Sequence, residues 1–471
     1  MSGKPGIERY GVYVPRYRLT AAMLKSAWGT GPSKGERALA NHDEDPVTMA
    51  VEAAENCLAA GGAEKIEALY FASASAPYAE KSSAATVAAA LDMPDDGFLT
   101  ADFGSGLRAG TAALRAAADA VAAGSSEEVL VAASEMRVAE PGTPQELAFG
   151  DAAAALRIGK NNPVATLDCF FSVNSELTDI WRRAGDRFHQ TEDAKFILEK
   201  GYGEYLKRAL DGLLKKSGVK KDELAKAVFY APDAAGFKYQ AKALSLKPEQ
   251  LAESQLETIG CAGCATPFLA LAAALDAAKP GDRIAMLSYG SGADAVLLTV
   301  TDEIKNHSNP RGLKAQAAAR RDLSSYQKYL RFRELISLEK VIPFAPEPLI
   351  WRERKAILSR YGVKCNKCGT FAYPPRRVCR NCDSKDDFTA VKLGRRGKVF
   401  TFAKDHLVPC PDLPVVMISA DMEGGGRLYA QYTDAPADSV QVGMDVELCF
   451  RRINEGGGHY NYFWKFRKPL V

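Results

Sequence analysis

The residues best spaced for chemistry are four cysteines, Cys365-Asn-Lys-Cys368 and Cys379-Arg-Asn-Cys382, with ten residues between the pairs. Two such knuckles present four thiolates to one tetrahedral ion. Four thiolates leave no open coordination position, so the expectation is a structural Zn²⁺ held by Cys365, Cys368, Cys379 and Cys382. A redox pair is the alternative. Disulfides need an oxidising compartment, and the start Met1-Ser-Gly-Lys-Pro-Gly carries no apolar leader, which sets the expectation of a cytoplasmic protein with reduced thiols. A closed metal site performs no catalysis, so catalytic groups must be sought elsewhere. Candidates for general acid–base work are scarce, with five histidines in 471 residues.

The elements that position these groups fall into distinct regions. With 47% hydrophobic residues the chain can bury real cores, and its length predicts about three domains. It contains no apolar run long enough to span a membrane. A net charge of +3 argues against a nucleic-acid-coating protein, although Trp351 to Phe400 holds 14 Lys/Arg against 4 Asp/Glu. Up to about residue 301 the chain alternates short apolar strands with Ala-rich helices. Thr111-Ala-Ala-Leu-Arg leads through a helix to Gly124 and the strand Val129-Leu-Val-Ala-Ala. Thr266-Pro-Phe-Leu-Ala leads through a helix to Gly281 and the strand Ile284-Ala-Met-Leu-Ser. The offset of about 155 residues predicts two fused α/β halves. The divisions expected are 1–170 and 171–305 for the halves, 306–350 for a charged helix and proline-rich linker, 351–385 for a zinc ribbon, and 386–471 for a barrel. That last region reads as five short strands broken at Gly424-Gly-Gly and Gly456-Gly-Gly, the pattern of an OB fold.

The first 340 residues resemble the thiolase superfamily, specifically 3-hydroxy-3-methylglutaryl-CoA synthases of the archaeal type. The segments that carry the likeness include Gly11-Val-Tyr-Val-Pro-Arg-Tyr-Arg, Asp43-Glu-Asp-Pro-Val-Thr-Met-Ala, Ser73-Ala-Ser-Ala-Pro-Tyr-Ala, Ala109-Gly-Thr-Ala-Ala-Leu and Ser288-Tyr-Gly-Ser-Gly. The remainder is similar to zinc-ribbon-plus-OB proteins associated with thiolases. The resemblance implies a five-layer α/β/α/β/α fold of two pseudo-symmetric halves, then the ribbon and the barrel. It also implies coenzyme A or an acyl-CoA as ligand and a homodimer formed through the thiolase-like domain.

The family's catalytic residues do not carry over. Its general acid–base glutamate corresponds to Ala74, its nucleophilic cysteine to Leu107 and its histidine to Tyr230. Leucine cannot form a thioester, alanine cannot move an α-proton, and a phenol is a poor base near neutral pH. Two residues are candidates to replace them. Ser105, in Phe103-Gly-Ser-Gly, is near the lost nucleophile but otherwise reads as a polar turn residue. Cys261, in Gly260-Cys-Ala-Gly-Cys264, mirrors the nucleophile loop in the second half and precedes a helix, a setting in which thiols can be reactive. It also reads as a buried packing thiol or as half of a redox pair. The expectation is therefore an auxiliary subunit of an acyl-CoA carbon–carbon bond-forming or -cleaving complex, with a thiolase-family partner chain supplying the cysteine and histidine. The alternative is an acyltransferase that uses Cys261. A third reading, single-stranded nucleic-acid binding by ribbon and barrel, is disfavoured by the near-neutral total charge.

Overall fold

The sequence beginning Gly6-Ile-Glu-Arg-Tyr-Gly-Val-Tyr pairs at once into a sheet, because its neighbours are runs of Val, Leu, Ile and Ala that must be covered on both faces. A computed structural model describes residues 3–59, 61–337 and 345–470. The chain divides into two units, one of Met1–Ala40, Asp45–Thr86 and Pro94–Tyr326, the other of Asn41–Glu44, Val87–Met93 and Gln327–Val471.

The first unit holds a nine-stranded sheet built from β1 (Gly6–Tyr13), β2 (Ile66–Ala72), β3 (Leu99–Phe103), β4 (Glu128–Glu135), β5 (Ala152–Gly159), β6 (Ala165–Asn174), β7 (Lys226–Phe229), β8 (Arg283–Tyr289) and β9 (Gly292–Val300). Their order is β7-β8-β9-β6-β1-β5-β4-β2-β3. The repeat is visible in the pairing. β1, β5 and β4 pair antiparallel, then β4, β2 and β3 pair parallel. Likewise β6, β9 and β8 pair antiparallel, β8 and β7 pair parallel, and Ala227 bridges Leu251 in parallel. The halves join through Gly6 and Ile7 of β1 against Thr166 and Ala165 of β6.

Helices α1 (Pro46–Cys57) and α3 (Glu204–Ser217) pack on β1/β5 and β6/β9 respectively. Helices α2 (Ala109–Ala123) and α4 (Thr266–Asp276) share one core with residues of both halves, among them Val131, Leu156, Ile284 and Val296. The result is the five-layer α/β/α/β/α arrangement. Local signals set the helix ends. Asp45 accepts from the Thr48 N–H while Thr48 Oγ1 accepts from the Asp45 N–H, with Pro46 in the first turn. Gly124, at φ +76°, ends α2.

Two expected boundaries move. The first half ends at the turn Asn161-Asn-Pro, where Asn162 adopts φ +55°, so residue 170 lies inside β6. Residues 306–337 do not form the single charged helix expected there. Pro310 and Gly312 interrupt the segment, and Leu313, Leu323 and Tyr326 are buried, so it forms the short helices Leu313–Ala318 and Tyr326–Phe332. Residues 338–344, where the proline-rich stretch begins, lie outside the described residues.

In the second unit the strands Tyr361–Cys365, Phe371–Ala372 and Phe388–Lys392 form the ribbon. Its last strand pairs Cys365 with Phe388 and Tyr361 with Lys392, so it runs past 385. The barrel is closed by β10 (Arg396–Asp405), β11 (Val415–Met422), β12 (Arg427–Tyr432), β13 (Asp445–Gly456) and β14 (His459–Arg467), in the order β10-β11-β12-β14-β13. Its glycine-rich turns fall between β11 and β12 and between β13 and β14, as the sequence pattern predicts. Among the described residues no helix is long and apolar enough to cross a membrane.

Buried charge in the first sheet gives a pH-dependent prediction. Arg157 faces both Glu128, at 2.5 and 2.7 Å, and Glu8, at 3.5 Å. Burial, opposed by the Asn161 N–H and aided by the Glu128 charge, pushes the Glu8 carboxyl up to about 7. A carboxyl raised above its unfolded value stabilises the fold below that value, and this stability is lost as pH rises through 7. Glu8→Gln keeps the acceptor for Asn161 without the charge. It should be more stable than the parent at pH 8, by on the order of 2 kcal/mol, and indistinguishable near pH 4.5. Urea unfolding at both pH values checks this. A variant less stable at pH 8 refutes it.

Candidate functional site

Of the five positions singled out in the α/β region, four meet in space. Leu107, Tyr230 and Cys261 belong to one buried cluster with Tyr202 and Tyr289, and Ala74 packs against it. Leu107 closes the Gly-Ser-Gly turn that enters α2, and its C=O accepts from Ser288 Oγ at 3.3 Å. Tyr230 directly follows β7, and its N–H donates to the Leu287 C=O at 3.0 Å. Cys261 precedes the 3₁₀ turn Gly263–Ala265 that opens α4. Its N–H donates to the Ala148 C=O at 2.7 Å, and its C=O accepts from the Gly150 N–H at 3.1 Å. That junction requires glycine at 150, because a Cβ there would lie 1.9 Å from the Ile259 carbonyl oxygen.

The electrostatics favour neutral phenols over bases. Burial first, then the neighbouring Cys261 and Tyr202, raises Tyr230 well above an ordinary tyrosine. Tyr289 donates to Asp179 at 2.6 Å and is likewise raised by burial and by that carboxylate. The Cys261 sulfur, with 0% exposure, lies 3.2 Å from Arg137 Nη2 and 3.7 Å from Thr266 Oγ1. Cys264 is also buried, bonded to the Ala72 C=O at 3.4 Å, and its thiol is raised far by burial and Glu135.

A cavity of about 870 Å³ opens onto this cluster. Its wall includes Trp28, Phe149, Ile197, Tyr202, Tyr230 and Pro232. The stretch Ile197–Gly203 is wound as a π-helix, which turns Tyr202 into the wall. Ser105 does not reach this cavity. At φ +65° it is exposed on a separate cleft of about 590 Å³ with Arg108, Arg115 and Asp294, and none of the described residues lining that cleft is a histidine. Trp181-Arg-Arg belongs to a hairpin of Ile180–Trp181 against Gln190–Thr191, turned through Gly185 at φ +90°.

Three polar residues of the site escaped sequence reasoning. Glu135 ends β4 and accepts from the Ala74 N–H at 2.8 Å and from Ser75 Oγ at 2.5 Å, so a buried carboxylate stands beside the position that lacks one. Arg137 stacks on Phe149 at 4.0 Å. His189, remote in sequence, meets the Phe149 ring edge-on at 5.3 Å, and burial and then Arg137 bring its imidazole down to about 4, so it is neutral at pH 7. A usable signal existed for two of them. Glu135 and Arg137 sit at the carboxyl end of a buried strand, where α/β folds hold ligands. Elsewhere, the Cys410 sulfur is 3.6 Å from His42 Nε2, with the thiol raised and the imidazole brought to about 4 by burial, so the pair stays uncharged.

In the ribbon, the sulfurs of Cys365, Cys368, Cys379 and Cys382 lie within 4.8 Å of one another, with Cys365–Cys382 at 3.6 Å and Cys368–Cys379 at 3.5 Å. Zinc–sulfur bonds of about 2.3 Å place tetrahedral sulfurs roughly 3.8 Å apart, so these four thiolates fit a structural zinc. Much of the surrounding basic stretch is engaged internally. Lys355 and Lys392 pair with Asp92, Arg377 pairs with Asp386, and Arg360 stacks on Trp464 at 4.0 Å.

Fold and sites together define a thiolase-fold protein carrying a zinc ribbon and an OB barrel. The chain is 32% identical over 345 residues to the hydroxymethylglutaryl-CoA synthase of Methanopyrus kandleri (71% of this chain, 98% of that protein). It is 35% identical over 312 residues to that of Methanocella arvoryzae (64% and 89%). It belongs to the hydroxymethylglutaryl-CoA synthase family. Residues 214–300 match the 3-oxoacyl-[acyl-carrier-protein] synthase III C-terminal family. Residues 361–388 match the ChsH2 rubredoxin-like zinc ribbon domain, and 390–451 the ChsH2 C-terminal OB-fold domain. Among solved structures, MvaS in complex with 3-hydroxy-3-methylglutaryl coenzyme A superposes with TM-score 0.65 at 24% identity, covering 74% of this chain and 95% of that one. The 3-oxoacyl-[acyl-carrier-protein] synthase III of Aquifex aeolicus superposes with TM-score 0.57 at 21% identity, covering 63% and 99%. At these identities the likeness establishes the shared fold.

Proposed function

We propose that the chain binds an acyl-CoA in the cavity beside Tyr230 and acts as the non-catalytic subunit of an acyl-CoA carbon–carbon bond-forming or -cleaving complex. A thiolase-family partner supplies the cysteine and histidine, and the chain pairs with a second copy of itself through its thiolase-like unit. The observation that carries this reading is the convergence of Ala74, Leu107 and Tyr230 beside a cavity of about 870 Å³ that is still open. The scaffold keeps room for a thioester while a leucine stands where the family's acyl-accepting cysteine is expected. The ribbon and barrel serve as the docking module for the partner.

One observation favours a second reading, an acyltransferase using Cys261, because a guanidinium nitrogen and a hydroxyl flank that sulfur. Peptide mass mapping after incubation of the purified chain with acetyl-CoA separates the two. The expected result is no acyl adduct on Cys261 or Ser105 and no condensation or thiolysis until the partner is added. An adduct on Cys261 with turnover by the chain alone replaces the first reading by the second.

A further inference from the structure

A cysteine–histidine pair lies in the second unit, and the hydrogen bonds behind it fix which way its proton can move. They start at Asp434, whose carboxylate is paired with Arg451 and can only accept. Asn41 Nδ2 donates to Asp434 Oδ1 at 3.1 Å and to Thr433 Oγ1 at 3.0 Å, the Thr433 proton itself going to Asp43 at 2.9 Å. The Asn41 amide is thereby oriented with its Oδ1 toward His42. That oxygen accepts from the His42 backbone N–H at 2.8 Å and meets the ring Nδ1 at 2.9 Å. An amide oxygen has no proton to give, so Nδ1 carries the ring hydrogen and Nε2 presents its lone pair. Nε2 faces the Cys410 sulfur at 3.6 Å, and the Phe332 ring packs on the imidazole at 5.4 Å.

The result is a thiol, a base and a group that orients the base, in the order Cys410, His42, Asn41. That order is the one that activates sulfur for attack on an acyl carbon. Burial raises the thiol, opposed by the Asp412 backbone N–H, and burial lowers the imidazole, so at rest the sulfur keeps its proton. Oxidation by peroxide follows thiolate character and is disfavoured in such a pair. Attack on an acyl carbon needs no standing thiolate, because the base takes the proton as the new bond forms. Access also sets this thiol apart. Cys410 and His42 are partly exposed, whereas Cys57, Cys261, Cys264 and Cys449 are buried. The loop that carries Cys410 exposes Leu407 and Leu413, an apolar surface for an acyl chain. We infer that Cys410 is an acyl-acceptor site, S-acylated by an acyl thioester with His42 as its general base. Nε2 takes the thiol proton as Sγ bonds the acyl carbon. The donor's own C–S bond breaks, and Nε2 returns the proton to the departing sulfur, so the donor leaves as a free thiol. This site lies outside the cavity beside Tyr230 and does not depend on the reading of that cavity.

The test incubates the full chain, loaded with zinc, with S-acetyl-N-acetylcysteamine, a thioester that carries no nucleotide, and follows acetylation of each cysteine by peptide mass mapping. Cys169 is the internal reference, because it is also partly exposed but has its sulfur against the Phe170 carbonyl at 3.9 Å. In the wild type Cys410 should acetylate about tenfold or more faster than Cys169. His42→Gln keeps a polar side chain beside the sulfur and removes the base. It should slow Cys410 by about a hundredfold and leave Cys169 unchanged. A wild-type ratio below about tenfold, or a His42→Gln rate within about threefold of wild type, overturns the site and leaves a purely structural hydrogen bond. An unfolded variant would betray itself by reacting alike at both cysteines, and the wild-type ratio then decides alone.

Discussion

Chelation of the metal should unfold the ribbon and leave the α/β unit folded. Across residues 361–388 the fully buried positions are Gly362, Cys365 and Cys379, so the segment has almost no apolar core of its own. Its three short strands are tied together at the cysteines, and Cys365 itself sits at the end of the first strand. In such a small module the metal's binding free energy is the folding free energy, of order 10 kcal/mol for four-thiolate zinc near neutral pH. Removing one ligand with Cys379→Ser should have nearly the same effect, because three thiolates and a neutral hydroxyl make a much weaker site. The α/β unit draws its stability from the sheet and helix cores and contributes no ligand. Elemental analysis should give one zinc per chain. Hydrogen exchange after chelation should then show loss of protection at 361–392 while β4 and β8 stay protected. Retained protection in the ribbon after complete metal removal would contradict this account.

How much was legible in the sequence depends on how local each signal is. The knuckles needed only their spacing, and the four sulfurs do come together. The barrel strands followed from alternation and glycine breaks, and the doubled half from a motif copied at a distance. Leu107, Tyr230 and Ala74, the positions that the resemblance assigns to the family's catalytic groups, do share one cluster. What failed was information carried by tertiary contact. The halves part at Asn161-Asn-Pro rather than at 170 because a left-handed turn residue, invisible in composition, sets the break. Leu313 and Tyr326 convert a charged-looking segment into packed short helices by burying against the first unit's core. Arg137 and His189 stand 52 residues apart in sequence. Both pack on Phe149, so neither advertised a site alone.

Arg451→Met should cost the second unit about 3–5 kcal/mol. Arg451 is completely buried on β13, with Nη1 3.0 Å from Glu44, Nη2 2.5 Å from Asp434 and Nε 3.4 Å from Asp43. Asp43 also accepts from Lys465 Nζ and from Thr433 Oγ1, each at 2.9 Å. Three buried carboxylates therefore share two buried cations. Burial alone would raise Asp43, but Lys465 first, with His42 and Arg451, holds it well below the usual carboxylate range. Methionine fills the volume and removes the charge, leaving Glu44 and Asp434 without their cation. A depressed carboxyl contributes stability above its unfolded pKa of about 4 and loses it as pH falls further. The deficit of Arg451→Met should therefore be largest near neutrality and shrink below pH 4, where its orphaned carboxylates take up protons. Arg451→Lys, which restores one charge without the planar fork, should recover part of the loss. Denaturant unfolding followed by fluorescence in a background whose other three tryptophans are replaced by phenylalanine, leaving Trp464 buried in the same barrel, reads the second unit directly. A neutral-pH difference below about 1 kcal/mol would mean that the cluster's desolvation cost cancels its attraction, making it a device for register rather than for stability.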